Sequence, residues 1–207
     1  MRNRKRLARK ELVVAIAVFA VVAAAPAAAS ASQWEIEGIG GLKAPESITG
    51  VRNGSQVLEL NAIGLKMTCA KLAVAGTIER AGASKVTLAY TKCALVPSGC
   101  RVAEPLVAEA AGQLEGGAVK DKFSEPGRPF TEMTLTGAGC VLAGRYTVEG
   151  TQVCSLPGAG AFDRKQELVC AATGSGLKVG GAIPATYSGR AKLELSGKNK
   201  GKKWKTR

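Results

Sequence analysis

The chain has 207 residues, with 29 Lys or Arg against 16 Asp or Glu, and no histidine, for a formal charge of +13. The missing histidine excludes Ser-His-Asp and Cys-His catalysis, HExxH zinc hydrolysis and most transition-metal sites. The charge does not mark a nucleic-acid-binding domain, because it sits at two places. Residues 1–32 and 198–207 together hold 12 basic and 1 acidic side chains, which leaves 17 basic and 15 acidic between them.

The N-terminal segment opens with six basic side chains before Glu11, followed by an apolar run from Leu12 to Ala25, Pro26 and the small residues Ala29-Ser30-Ala31. This is the layout of a secretory signal over 1–31. The apolar run, about 14 residues, is shorter than the ~20 that a spanning helix needs. A retained membrane anchor is the alternative, because the Ala-rich stretch lengthens the run. Cleavage after Ala31 leaves 176 residues, enough for one domain with a sizeable core.

Beyond the signal, apolar residues recur with a period of two, which places them on one face of a sheet. Trp34 and Ile36 alternate with Glu35 and Glu37 in a first strand. Asn53-Gly54 then gives the strongest hairpin-turn signal, since the pair favours positive φ. Ile63, Leu65, Met67 and Cys69 form one inward set, and Leu72, Val74, Gly76 and Ile78 another. After a turn at Ala81-Gly82-Ala83 come Val86, Leu88 and Tyr90. Turn signals follow at Pro97-Ser98-Gly99, Gly116-Gly117, Pro126-Gly127 and Gly180-Gly181. Met133 and Leu135, Tyr146 and Val148, and Ala191, Leu193 and Leu195 complete the alternating sets. Only residues 104–114 read as a short helix, with Pro105 early in it. A faint echo links the residues after Cys69 (Gly76-Thr77-Ile78-Glu79) to those after Cys140 (Gly144, then Thr147-Val148-Glu149), without dividing the chain. The expected fold is all-β and mainly antiparallel: a sandwich or barrel of short strands in one domain, 32–197, followed by a basic tail, 198–207.

All six cysteines follow the signal, and an even number in an exported chain reads as three disulfides. The rival, a zinc site, wants close Cys pairs and often His. The closest spacing is seven, between Cys93 and Cys100. Cys69 and Cys93 are symmetric about the turn at Ala81, which puts them opposite each other in a hairpin. Cys154 and Cys170 flank Pro157-Gly158-Ala159-Gly160, leaving Cys100 with Cys140. A Cys93–Cys100 bridge is the competing assignment.

Little catalytic chemistry remains. The exported part has two aspartates, Asp121 and Asp163, so an Asp-rich calcium loop is missing. No phosphate-binding GxxxxGK[ST] and no GxSxG is present. Ser175-Gly176-Leu177-Lys178 fits SxxK, but its companion motifs SDN and KTG are absent. Glu35/Glu37 and Glu104/Glu109, with Glu115 nearby, are the carboxylate clusters available for glycosidase-type chemistry. Trp34 and Trp204 read as packing that pins the terminal strands, or as ligand-facing platforms. Lys198, Lys200, Lys202, Lys203, Lys205 and Arg207 read as a solvated end, including a last strand whose lysines protect an edge. They also read as an electrostatic contact with an anionic cell envelope, at ~1 kcal/mol per cation near such a surface.

The segments WEIEG (34–38), AIGLKMTCAKLAVAGTIE (62–79), KVTLAYTKCALVPSGC (85–100) and YSGRAKLELSGKNKGKKW (187–204) resemble a group of exported, β-rich proteins of unknown function from high-GC Gram-positive bacteria. The resemblance implies export and a β fold and transfers no active-site residue. The sequence therefore predicts a secreted or envelope-associated, non-catalytic structural or binding protein. It implies no cofactor, no nucleic acid, and membrane contact only through an uncleaved signal. The alternative is a secreted hydrolase or polysaccharide-binding module.

Overall fold

The structure, a computed structural model, describes residues 33–96, 99–115, 118–122, 130–157 and 160–207. Residues 1–31, read from sequence as a secretory signal, and the turn signals at 97–98, 116–117 and 126–127 lie outside the described residues. Among the described residues fourteen strands run in chain order: β1 (Trp34–Ile36), β2 (Gly40–Gly41), β3 (Glu46–Arg52), β4 (Gln56–Leu60), β5 (Leu65–Ile78), β6 (Ala83–Val96), β7 (Arg101–Val102), β8 (Leu106–Glu115), β9 (Ala118–Lys122), β10 (Thr131–Thr136), β11 (Gly144–Ser155), β12 (Lys165–Val179), β13 (Ile183–Leu195) and β14 (Trp204–Thr206). The fold is all-β and antiparallel, as the alternation predicts.

Eleven strands form one sheet, and they occupy eight positions because three pairs lie end to end. β3 and β4 both pair with β5 and β13. β9 and β10 both pair with β8 and β11. β7 extends β8 along β10. The positions follow chain order, β3/β4–β5–β6–β7/β8–β9/β10–β11–β12–β13, and β13 pairs back onto β3/β4. The sheet thus closes into an eight-position up-and-down barrel, which removes the edges that an open sandwich would expose. Of the two architectures expected, sandwich and barrel, the strand pairing selects the barrel.

Two local expectations fail for tertiary reasons. Asn53-Gly54 does not turn a hairpin. It interrupts a single strand position, since β3 and β4 run in the same direction against β5. Four residues, 52–55, face three, 70–72, so the extra residue bulges out, with Gly54 at φ +103°. Residues 104–114 do not form a helix. β8 alternates strictly, with Leu106, Ala108, Ala110 and Leu114 buried between exposed or half-buried neighbours. Ala, Glu and Gln favour a helix in isolation, and here the ladders to β6 and β9 override that preference. The turn signals at Ala81-Gly82-Ala83 and Gly180-Gly181 do join hairpins, with Gly180 and Gly181 at positive φ between Val179 and Ile183. The sequence echo has no structural counterpart, because Gly76 lies inside β5 whereas Gly144 opens β11.

The bridges are Cys69–Cys93, Cys100–Cys140 and Cys154–Cys170. The first and third join directly paired residues of adjacent strands, β5 to β6 and β11 to β12. The second ties the loop before β7 to the turn between β10 and β11.

β1 pairs with both β2 and β14 in a separate three-stranded sheet. This sheet lays Trp34 and Trp204 over one end of the barrel, called the upper end below. The two rings lie 5.6 Å apart and are 2% and 1% exposed. The fold therefore does not stop at residue 197. The segment 198–207, read from sequence as a tail, supplies β14 and part of the core.

Candidate functional site

The interior of the barrel falls into chambers. One, of about 60 Å³, lies under Trp34 and Trp204 and is walled by apolar side chains including Ile48, Leu72, Val74, Leu88 and Leu193. Gln56 and Tyr187 border this space and also a lower one of about 20 Å³, so they form a partition across the barrel. The partition is a chain of hydrogen bonds. Tyr90 Oη donates to Tyr187 Oη over 3.3 Å, Tyr187 Oη donates to Gln56 Oε1, and Gln56 Nε2 donates to the Arg190 carbonyl over 2.8 Å. Such a chain offsets part of the penalty that buried amide and phenol groups would otherwise incur.

The backbone around it is shaped for the purpose. A Cβ at Gly189 would collide with Gln56 Oε1 and the Tyr187 hydroxyl, so the bare Cα there makes room for the partition. Opposite it, β12 bulges between Cys170 and Leu177, where six of its residues face three of β13. Ser175 Oγ accepts the Tyr187 amide N–H over 3.0 Å at this bulge. Sequence reasoning placed Tyr90 inside but missed Gln56 and Tyr187. A Gln between a bulge and an alternating run, and a Tyr two residues before a Gly, were the only available signals.

At the roof, Trp204 is held by several contacts. Its backbone exchanges two hydrogen bonds with Asp163, and its carbonyl accepts Gln166 Nε2 over 2.6 Å. Its indole Nε1 has no hydrogen-bond partner among the described residues. Both tryptophans are buried, so neither is a surface platform for a sugar.

The carboxylates expected to act together do not converge. Glu35 faces Lys205 and Arg207, and Glu37 faces Lys203 at 3.4 Å. Hydrogen bonds from Arg207 and then Lys205 hold the Glu35 carboxyl below its usual range, which keeps it ionised and unsuited to act as a general acid. Glu104 accepts the backbone N–H groups of Cys93 and Lys92, at 2.6 and 2.9 Å, which lowers its pKa in turn. Lys92, at φ +56°, sits in an irregularity where β5 and β6 both reverse their faces, and Glu104 satisfies the backbone there. Glu109 and Glu115 lie on the outward face of β8, six residues apart, which is ~20 Å along a strand. Ser175 and Lys178 lie three apart on β12, so they point to opposite faces and cannot form a nucleophile–base pair.

The basic segment is largely paired. Lys198 faces Glu46 at 3.1 Å, Lys203 faces Glu37, and Lys205 and Arg207 face Glu35. The Glu46 carboxylate also accepts Asn199 Nδ2 over 2.8 Å in a buried contact. Lys205 Nζ lies 4.7 Å from the centre of the Phe162 ring. Only Lys200 and Lys202 have no ion pair among the described residues. Of the six cations read as an envelope contact, four are thus committed to the fold. Sequence alone could not show this, because their partners lie more than 150 residues away.

Among the described residues no group of three or more His, Cys, Asp or Glu is arranged to hold a metal. No described helix is long and apolar enough to cross a membrane. Three disulfides accord with an oxidising compartment. No family model, curated protein or solved structure matches this chain.

Proposed function

We propose that this chain is an exported, non-catalytic binding protein. The observation that carries the reading is the separation of charge from cavity. Glu35, Glu37 and Glu104 face outward cations or backbone N–H groups, while the chamber of about 60 Å³ is lined by no carboxylate and roofed by tryptophan. An enzyme of the glycosidase type needs the reverse, with carboxylates facing each other across a cleft. The disulfides and the signal-like N-terminus support export. Retention at an anionic surface rests on Lys200 and Lys202, so the contact is about 2 kcal/mol at ~1 kcal/mol per cation, and modest salt releases the protein from cells.

The test is expression of the full chain in a Gram-positive host, followed by fractionation and thiol titration. We expect a protein lacking residues 1–31, without free thiols, outside the cytoplasm and released from cells by a salt wash. An intact chain in the cytoplasm with six titratable thiols overturns the reading. So does hydrolysis of a glycan by the purified protein that Glu104→Gln abolishes.

A further inference from the structure

The outer wall of the barrel carries a belt of cations that the fold does not use. Arg190 on β13, Arg52 at the end of β3, Lys71 on β5 and Lys92 on β6 are exposed and lie at one height on four neighbouring strand positions. The ladders fix that height. The Asn53 amide, next to Arg52, bonds to the Arg190 carbonyl, residues 52–55 face 70–72, and Lys71 pairs with Thr91 beside Lys92. Lys192 adds a fifth cation, across the ladder from Glu167. None of these five has an ion pair among the described residues. The carboxylates of Glu167 and Glu104 lie along the belt but are engaged by neutral donors. Glu167 accepts Asn53 Nδ2 over 2.7 Å, and Glu104 accepts the backbone N–H groups of Lys92 and Cys93.

Three breaks in alternation build the belt. Val51 and Arg52 are both exposed, as are Ala70 and Lys71, where a regular strand would turn one of each pair inward. Lys92 lies at φ +56°, the one non-glycine residue at positive φ among the described residues, a conformation that an L side chain adopts only at a cost. Irregularities of this kind re-aim side chains. Here three adjacent strands break at the same level, and each break presents a cation outward.

We infer that this belt binds a linear polyanion, a chain carrying phosphate or carboxylate groups and no aromatic bases. This rests on the binding-protein reading and supplies a class of ligand for it. Neighbouring strands lie ~5 Å apart, so the belt offers a cation at each step for ~14 Å around the girth of the barrel. A flexible chain can follow that convex path, whereas a flat bilayer meets a cylinder wall along one line only. The two guanidinium groups make forked contacts to either kind of anion. The exposed residues between the cations, Val51, Ser55, Ala70 and Ala94, offer no ring on which a nucleic-acid base could stack.

Inorganic polyphosphate and polygalacturonate are the probes, titrated over a range of salt concentrations into the disulfide-intact protein. The same titrations are made with Arg52→Gln/Lys71→Gln/Arg190→Gln and with Lys200→Gln/Lys202→Gln, whose two cations are unpaired but lie elsewhere. The expected result is saturable, salt-sensitive binding of at least one polymer, and the stronger of the two identifies the anion. The triple variant should lose at least about tenfold in affinity at low salt, and its slope of log affinity against log salt should flatten by about 2, at ~0.7 per cation on a flexible chain. The substituted side chains are exposed, so tryptophan emission should stay native. An equal loss in the Lys200/Lys202 variant overturns the inference, because net charge rather than the belt would then govern binding. So does a triple variant that binds as the wild type does, or the absence of binding to either polymer. Oligothymidylate bound as tightly as the better polymer, or anionic vesicles bound when neither polymer is, overturns the ligand class. Export and thiol state are measured separately, so failure here is distinct from failure of the binding-protein reading.

Discussion

The two ends of the barrel are closed by different means. At the lower end, Leu60, Leu65, Met133, Leu135, Tyr146, Val179 and Ile183 fill the interior down to a void of about 10 Å³, and the Cys100–Cys140 bridge ties the rim. At the upper end two large aromatic rings span the opening and leave about 60 Å³ beneath them. Covalent and apolar closure makes the lower end a foundation. The upper end is a separate small sheet, held by the buried apolar residues Trp34, Ile36, Leu42 and Trp204 together with ion pairs and a few buried polar contacts.

Three perturbations sharpen this contrast. Deleting 198–207 should have the largest effect, because it strips Trp204, β14 and the partner of β1 together. We expect a loss of at least about 4 kcal/mol, the scale of removing one buried aromatic, read by urea unfolding. A truncated protein as stable as the full chain would show that the roof is not part of the cooperative unit. Next, the double variant Cys100→Ser/Cys140→Ser opens a 40-residue separation, worth about 4 kcal/mol by the loop-entropy relation. The unfolding midpoint should fall while native tryptophan emission stays unchanged, since both indoles lie at the other end. A shift in emission would break the independence of the two ends.

The smallest effect concerns acid. The folded Glu35 carboxyl titrates below its unfolded value, so the unfolded chain binds more protons at low pH. Its contribution is complete above the ordinary carboxylate pKa of ~4.3 and is lost as pH falls through the lowered value. Glu104 behaves the same way for the β5–β6 irregularity. Glu35→Gln should weaken roof docking slightly at neutral pH and flatten its dependence below pH ~4, followed through tryptophan emission. An acid response of unchanged size in the variant would assign the effect to another group.

Much of this architecture was legible in residue spacing. Strict alternation located most of the long strands, and the Cys69–Cys93 bridge followed from a turn midway between two alternating runs, because cross-strand neighbours are equidistant from their hairpin turn. What escaped was set by partners far along the chain. Asn53-Gly54 carries the local chemistry of a hairpin, yet β5 and β13 pair on both sides of it and turn it into a bulge. Residues 104–114 have helix-favouring side chains, and ladder pairing on both sides decides against them. The basic segment illustrates the same limit. Lys205 and Arg207 look like a solvated run until Glu35, near the other end of the domain, is placed beside them.

The pairing of β1 with β14 also fixes the order in which the protein can be completed. Of the described strands, β1 is synthesised first and β14 last, and the Arg207 amide hydrogen-bonds the Gln33 carbonyl at 2.9 Å. While the polypeptide is emerging, Trp34 has no indole to pack against. The eight-position ring can form its hairpins locally and early, but its lid waits for the final strand. A molecule that lacks β14 therefore leaves Trp34 and the apolar lining beneath it uncovered at the upper end.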